Sequence, residues 1–223
     1  MNPWWMAAPT AAAAGLTVWA ARHPSAQLFG PTIRYTGRVN SLALTFDDGP
    51  NPNCTPRLLN LLERFHARAT FFMIGKYVRR DPGLAREVAA RGHLIGNHTD
   101  THPSLIWLSP AQIETELRPC DEALDAALGA GRASSSGKWM RPPYGSRGPQ
   151  LNRVARRMGF DGVVMWSLMG YDWKPQPPET LIGRLAAARW NLRGGRGGDV
   201  ITLHDGWSRG WNADREHLLK ALE

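Results

Sequence analysis

Cysteine is nearly absent from this chain. Only Cys54 and Cys120 occur in 223 residues, far apart and outside any CxxC pair. That excludes a disulfide framework and a zinc site built from thiolates. Acidic residues are scarce too, 19 against 27 Lys and Arg, which leaves a formal charge of +8. The excess is Arg along most of the chain, densest at Arg141–Arg157 and Arg189–Arg196. No nucleic-acid module or interleaved aromatic platform accompanies it, so the sequence reads as a solvated basic face with no nucleic-acid partner. Disorder is excluded as well, because 43% of residues are hydrophobic and 21% charged. The length suits one well-buried domain.

Charge is missing altogether from residues 1–21. The run is Ala-rich, with Trp4 and Trp5 near one end and Trp19 near the other. It is short for a spanning helix, which needs about 20 residues, and Pro9 and Gly15 interrupt it. Interfacial Trp argues for a targeting or anchoring segment. The expectation is a membrane-anchored or secreted protein of the cell envelope, associated with the membrane through residues 1–21. The alternative is a helix lying on the domain. Residues 22–37 read as a polar linker, giving an N-terminal segment over 1–37 and one domain over 38–223. Ten Trp are present, and Trp serves either core packing or stacking on sugar rings.

From residue 41 apolar strands alternate with amphipathic helices. Strands are predicted at Ser41–Phe46, Ala69–Ile74, His93–Ile95, Lys138–Arg141, Gly162–Ser167 and Asp199–Leu203. Helices are predicted at Thr55–His66, capped by Thr55, then at Pro82–Arg91 and Ser109–Leu128, the last with a kink or break at Pro119. Further helices are predicted at Gln150–Met158 and Glu179–Leu192, and a last one begins at Asp214. Gly129–Gly137 reads as a flexible loop. This alternation implies a parallel sheet covered by helices, either open or closed into a barrel.

The side chains capable of chemistry fall just after these strands: Asp47 and Asp48, His98 and His102, Arg141 and Tyr144, Asp172 and Trp173, His204 and Asp205. In a parallel βα array those positions share one face, where active sites are built. The i, i+4 spacing of His98 and His102 puts both imidazoles on one side of a helical turn. With Asp48 they form a two-nitrogen, one-oxygen set that leaves positions open for chemistry. Non-haem iron oxygenases use a similar set, but on a different type of scaffold. Of the adjacent acids, one can bind the ion while the other takes a proton from its water. His204 can protonate a leaving group, with Asp172 to hold its charge.

TFDDGP (45–50), HTDTH (98–102), RPPYG (141–145), YDW (171–173) and LHD (203–205) resemble, in order, the five motifs of the polysaccharide deacetylases. This is the NodB-homology domain, carbohydrate esterase family 4. The resemblance spans about residues 41–222. It implies a deformed (β/α) barrel of about seven strands, incomplete at the C-terminus, because the chain ends in a helix where the family adds a closing strand. It implies one divalent metal ion, usually Zn2+ and sometimes Co2+, held by Asp48, His98 and His102. Asp47 becomes the general base, oriented by Arg141, and His204 the general acid, poised by Asp172. The Tyr144 backbone N–H joins the oxyanion site, and Leu203, Trp173 and Pro143 wall the substrate pocket. Ser167–Gly170 lacks the additional acidic residue often found in the fourth motif.

The resemblance implies an N-deacetylase acting on N-acetylglucosamine-containing glycans such as peptidoglycan, chitin oligomers or exopolysaccharide. O-acetyl esters, small cyclic amides, an inactive sugar-binding role and a membrane-tethered scaffold are the alternatives. Oligomeric state is not legible.

Overall fold

The computed structural model describes residues 15–129, 137–190 and 196–223. The Gly129–Gly137 loop expectation falls mostly outside them, as do residues 1–14. Seven strands form one parallel sheet in the order β5-β4-β3-β2-β1-β7-β6. They are β1 (Ala43–Gly49), β2 (Ala69–Met73), β3 (Leu94–Asn97), β4 (Trp139–Met140), β5 (Gly162–Val163), β6 (Leu168–Met169) and β7 (Val200–His204). The sheet curls into a deformed (β/α) barrel that stays open between β5 and β6.

The helices cover its outer face: α1 (Thr55–Arg64), α2 (Gly75–Arg80), α3 (Pro82–Ala90), α4 (Pro110–Leu128), α5 (Leu151–Arg157), α6 (Pro178–Leu185) and α7 (Glu216–Leu222). Burial of Phe46, Leu58, Leu59, Phe71, Val78 and Leu124 joins sheet to helices. Each such side chain contributes about 1.5–3 kcal/mol by leaving water. A second cluster around Leu105, Ile113, Met140 and Val154 closes the β4–β5 side.

Three departures from the predicted elements have physical causes. The expected strand Gly162–Ser167 is shortened to Gly162–Val163, and an unpredicted strand, β6 at Leu168–Met169, follows it across the opening. Two-residue strands carry too few side chains to show a period. Thr55 does not cap α1: the N-cap is Cys54, without a side-chain cap bond, and the Thr55 hydroxyl is used elsewhere. Helix α4 runs through Pro119 without a break, held at its start by a capping box between Ser109 and Gln112.

Residues 22–37 pack on the barrel. Ile33 pairs with Val164 beside β5, and Tyr35 with Asp199 just before β7, so this stretch touches the sheet on both sides of its opening. Ala20, Ala21 and Ala26 are buried. The buried Arg147 donates to the carbonyls of His23 (3.1 Å) and Ala26. No helix among the described residues is long and apolar enough to cross a membrane.

Candidate active site

Alternation along β1 sends Phe46 outward to the helices and Thr45 and Asp47 inward. Asp48, the next residue, would then point away. The pairing of β1 with β2 instead shifts between Asp47 and Gly49, and Asp48 takes a left-handed φ of 71°. This bulge turns two consecutive carboxylates onto one cavity. Such a conformation costs a non-glycine residue about 1–3 kcal/mol. His102 (φ 69°) and Tyr144 (φ 58°) share it, so strain concentrates at one place. Gly206 closes the loop after β7 against this bulge: a Cβ there would meet the Asp48 carbonyl at 2.0 Å, and its N–H donates to the Asp47 carbonyl at 3.2 Å.

His98 and His102 meet Asp48, but not from a helix as their spacing suggested. Residues 98–102 form an irregular loop after β3, and the left-handed turns at Thr99 and His102 swing both rings inward. The His98 and His102 Nε2 atoms lie 3.5 and 3.0 Å from Asp48 Oδ1. One donor atom from each of the three residues falls within 4.8 Å of the others. Asp48 Oδ1 is buried without a hydrogen-bond partner, as a carboxylate oxygen reserved for a cation would be. His98 Nδ1 sits 2.8 Å from the Arg141 carbonyl; donating there leaves the Nε2 lone pair for a metal. Burial lowers the His102 pKa against the pull of Asp48, which keeps that ring neutral for ligation. Burial works against the Asp48 anion, but the neighbouring His102 and His98 rings outweigh it and hold the carboxyl well below its usual range. The donor set fits one divalent cation.

Asp47 faces Arg141, whose side chain is fully buried. Arg141 Nη1 donates to Asp47 Oδ1 and to Thr45 Oγ1, both at 2.7 Å. Its other nitrogens donate to the carbonyls of Val164 (3.3 Å) and Met165 (3.1 Å). The guanidinium also lies 4.3 Å above the Phe72 ring, and that ring needs Gly96, where a Cβ would strike it at 2.5 Å. A guanidinium so fixed can neither leave Asp47 nor turn.

Opposite lies His204, at the end of β7. Asp172 accepts from its backbone N–H (2.7 Å, Oδ2) and from ring Nδ1 (2.9 Å, Oδ1). Burial opposes the imidazolium, but the charge and hydrogen bond of Asp172 outweigh it, with help from Asp47 and Asp48. Together they push His204 up to about 9. The Trp173 ring stands edge-on to it at 5.4 Å.

These groups line a pocket of about 270 Å³ with Tyr144, Trp173 and Thr202 on its walls. Tyr144 sits on the turn Pro143–Gly145, its ring edge-on to His102 at 4.6 Å. Two expected wall residues are not there. Leu203 belongs to the core between sheet and helices, because alternation along β7 turns it away from the face that Thr202 and His204 share. Pro143 is buried in the turn beneath Tyr144. Thr202 takes the wall position, two residues before His204, and its hydroxyl is buried without a partner.

Asp205, placed by the sequence on the reactive face without a role, and Thr55, expected only as a helix cap, act together. The Asp205 carboxylate accepts a short hydrogen bond from the Thr55 hydroxyl. Thr55 Oγ1 accepts from the Asn51 backbone N–H (2.9 Å), and Asn51 Nδ2 donates to the Asp205 carbonyl (2.8 Å). Together they tie the turn after β1 to the loop after β7. Burial, with the nearby Asp48 charge, pushes Asp205 up to about 7. The Ser208 N–H, on the same loop, donates to Asp48 Oδ2 at 3.3 Å.

The sequence model of the polysaccharide deacetylases matches residues 34–163. The chain belongs to this family. It is 34% identical over 179 residues to a chitooligosaccharide deacetylase of Azorhizobium caulinodans, covering 80% of each chain. It is 32% identical over 182 residues to a peptidoglycan-N-acetylglucosamine deacetylase of Bacillus cereus, covering 81% of this chain and 78% of that one. Among solved structures, a peptidoglycan N-acetylglucosamine deacetylase superposes with a TM-score of 0.73 at 28% identity, over 86% of this chain and 82% of the other. Membership makes the chain a hydrolase of the deacetylase type and agrees with the seven-stranded deformed barrel.

Proposed function

We propose that this protein removes N-acetyl groups from N-acetylglucosamine units of a glycan, using one divalent cation, with zinc first among candidates. The observation that carries this reading is the convergence of Asp48, His98 and His102 on one point, with Asp47 held on Arg141 and His204 on Asp172. A cation bound there would polarise the acetamide carbonyl and acidify a water molecule. Asp47, held by the Arg141 guanidinium, accepts the proton of the attacking water. The Tyr144 backbone N–H, on its strained turn, is assigned to the developing oxyanion. His204, charged through neutral pH, hands a proton to the departing nitrogen, without which an amine is a poor leaving group. The products are acetate and a glucosamine unit. Trp173 and Thr202 flank the space for the acyl group. We place the protein in the cell envelope, where such glycans lie, on the strength of the apolar run over residues 1–21.

Acetate release from N-acetylglucosamine oligomers, followed together with metal content, tests the assignment. His98→Ala is expected to lose the metal. Asp47→Asn is expected to keep it and lose activity by about 10²–10⁴-fold. Equal activity in both variants and the parent would defeat the assignment.

A further inference from the structure

A second cleft opens from the catalytic pocket and shares Tyr144, Trp166, Met169 and Trp173 with it. It is larger, about 690 Å³, and carries Arg22, Arg34 and Arg184 on its walls with no acidic residue. None of the three guanidiniums has a carboxylate partner among the described residues. Arg34 Nε donates to the Trp166 carbonyl at 3.3 Å. Arg184 Nη1 donates to the Gly170 carbonyl at 2.8 Å and to Gln176 Oε1 at 2.5 Å. Arg22 is exposed. Among the described residues, nearby Arg147 bonds only to carbonyls, and its pKa is lowered by burial and then by the charge of Arg34. Elsewhere some arginines find acids: Arg57 pairs with Glu216, Arg79 with Asp100, and Arg91 with Glu63 and Glu87.

Aromatic rings accompany these charges. Tyr144 and Tyr171 are 60% and 50% exposed, Tyr171 packs on Trp173 at 5.3 Å, and Arg184 lies 5.1 Å over the Tyr171 ring. Flat rings receive sugar faces and forked guanidiniums receive anionic oxygens in pairs. Arg22 and Arg34 come from the stretch before β1, which lies outside the five motifs, so this wall is separate from the catalytic set.

We infer that this cleft binds an anionic group, carboxylate or phosphate, carried by the glycan beside the sugar that is deacetylated, and that the enzyme prefers an acidic glycan over a neutral one. The inference rests on the deacetylase reading, and its test separates the two. Three tetrasaccharides of N-acetylglucosamine residues serve as substrates: neutral, alternating with a uronic acid, and bearing a phosphate monoester on a neighbouring sugar. Acetate release gives kcat and KM for the parent and for the double variant Arg22→Gln/Arg34→Gln. Binding of each oligosaccharide to Asp47→Asn protein, with and without the two Arg changes, is followed by calorimetry. The parent is expected to show a KM about tenfold lower for an anionic substrate than for the neutral one. That advantage should shrink between 50 and 500 mM salt, as screening of exposed charge requires. The double variant should lose the advantage while neutral-substrate kinetics change less than twofold. Whichever anionic substrate keeps the advantage identifies the group.

Equal KM values for neutral and anionic substrates, or equal weakening of both by the Arg changes, would overturn the inference while the deacetylase reading stands. If no substrate releases acetate, that reading fails, and the calorimetry still decides whether the cleft prefers the anion.

Discussion

His204 shows how one residue's surroundings set a pH limit. In the proposed mechanism its imidazolium must be present to donate a proton, and Asp172 raises its pKa to about 9 against the opposing effect of burial. Turnover is therefore expected to hold through neutral pH and to fall as pH rises through about 9. The stability that the charged pair contributes follows the same sign: full below the unfolded imidazole's value of about 6.5, and lost as pH climbs through the folded one. Asp172→Asn removes the largest raising influence, so the alkaline limb of the kcat profile should move down toward the ordinary imidazole range. A limb that stays put in that variant would show that another group sets it. Arg141 makes a stability prediction. Replacing it with Leu strands Asp47 in the interior without its partner, which should cost about 3–5 kcal/mol in urea unfolding.

Most of the polar residues that line the pocket were legible because they are placed just after apolar strands, where elementary topology gathers them. Leu203 was misread on the same strand. Counting back in twos from His204 reaches Thr202, and that rule alone would have chosen the wall residue. The loop geometry of His98 and His102 was not legible, because left-handed turns at non-glycine residues leave no local mark; a fourfold spacing looks helical whether or not a helix is there.

At the scale of elements, the short hydrogen bond between Thr55 and Asp205 fastens the first turn of α1 to the loop after β7. The hydroxyl therefore serves tertiary structure and not the helix end. Thr55→Val should cost about 1–3 kcal/mol, the penalty for an unsatisfied buried acceptor, whereas Thr55→Ser should restore most of it. Thermal melts of both variants check this; equal losses would mean that the methyl group, not the hydroxyl, matters. The missed strand β6 belongs to this scale too. Six apolar runs were visible in the sequence, but the seventh strand is only Leu168–Met169. Its position is dictated by pairing to β7, a long-range contact that no local pattern encodes.

At the scale of the whole molecule, the stretch ahead of β1 acts as part of the barrel. Its composition reads as a linker because many of its contacts are made through backbone groups, such as the Ile33 N–H to the Val163 carbonyl and the Thr36 N–H to the Gly198 carbonyl. Arg147 takes two of its acceptors from residues 23 and 26, and Asn152 Nδ2 donates to the Phe29 carbonyl at 2.9 Å. A chain starting at residue 38 is expected to melt several degrees lower than the full chain, since about 1 kcal/mol shifts a domain of this size by roughly 2–4 °C. Matching melts would make that stretch dispensable.

The unneutralised arginines beside the catalytic pocket carry a consequence for the product. Each turnover converts a neutral acetamide into a primary ammonium, a cation that the same wall repels. A glycan chain that has just lost one acetyl group would thus be pushed off rather than fed onward to its neighbouring sugar. Free amines along a long chain should then be scattered singly instead of gathered in blocks, and mass-spectrometric sequencing of partly converted oligomers would read that spacing directly.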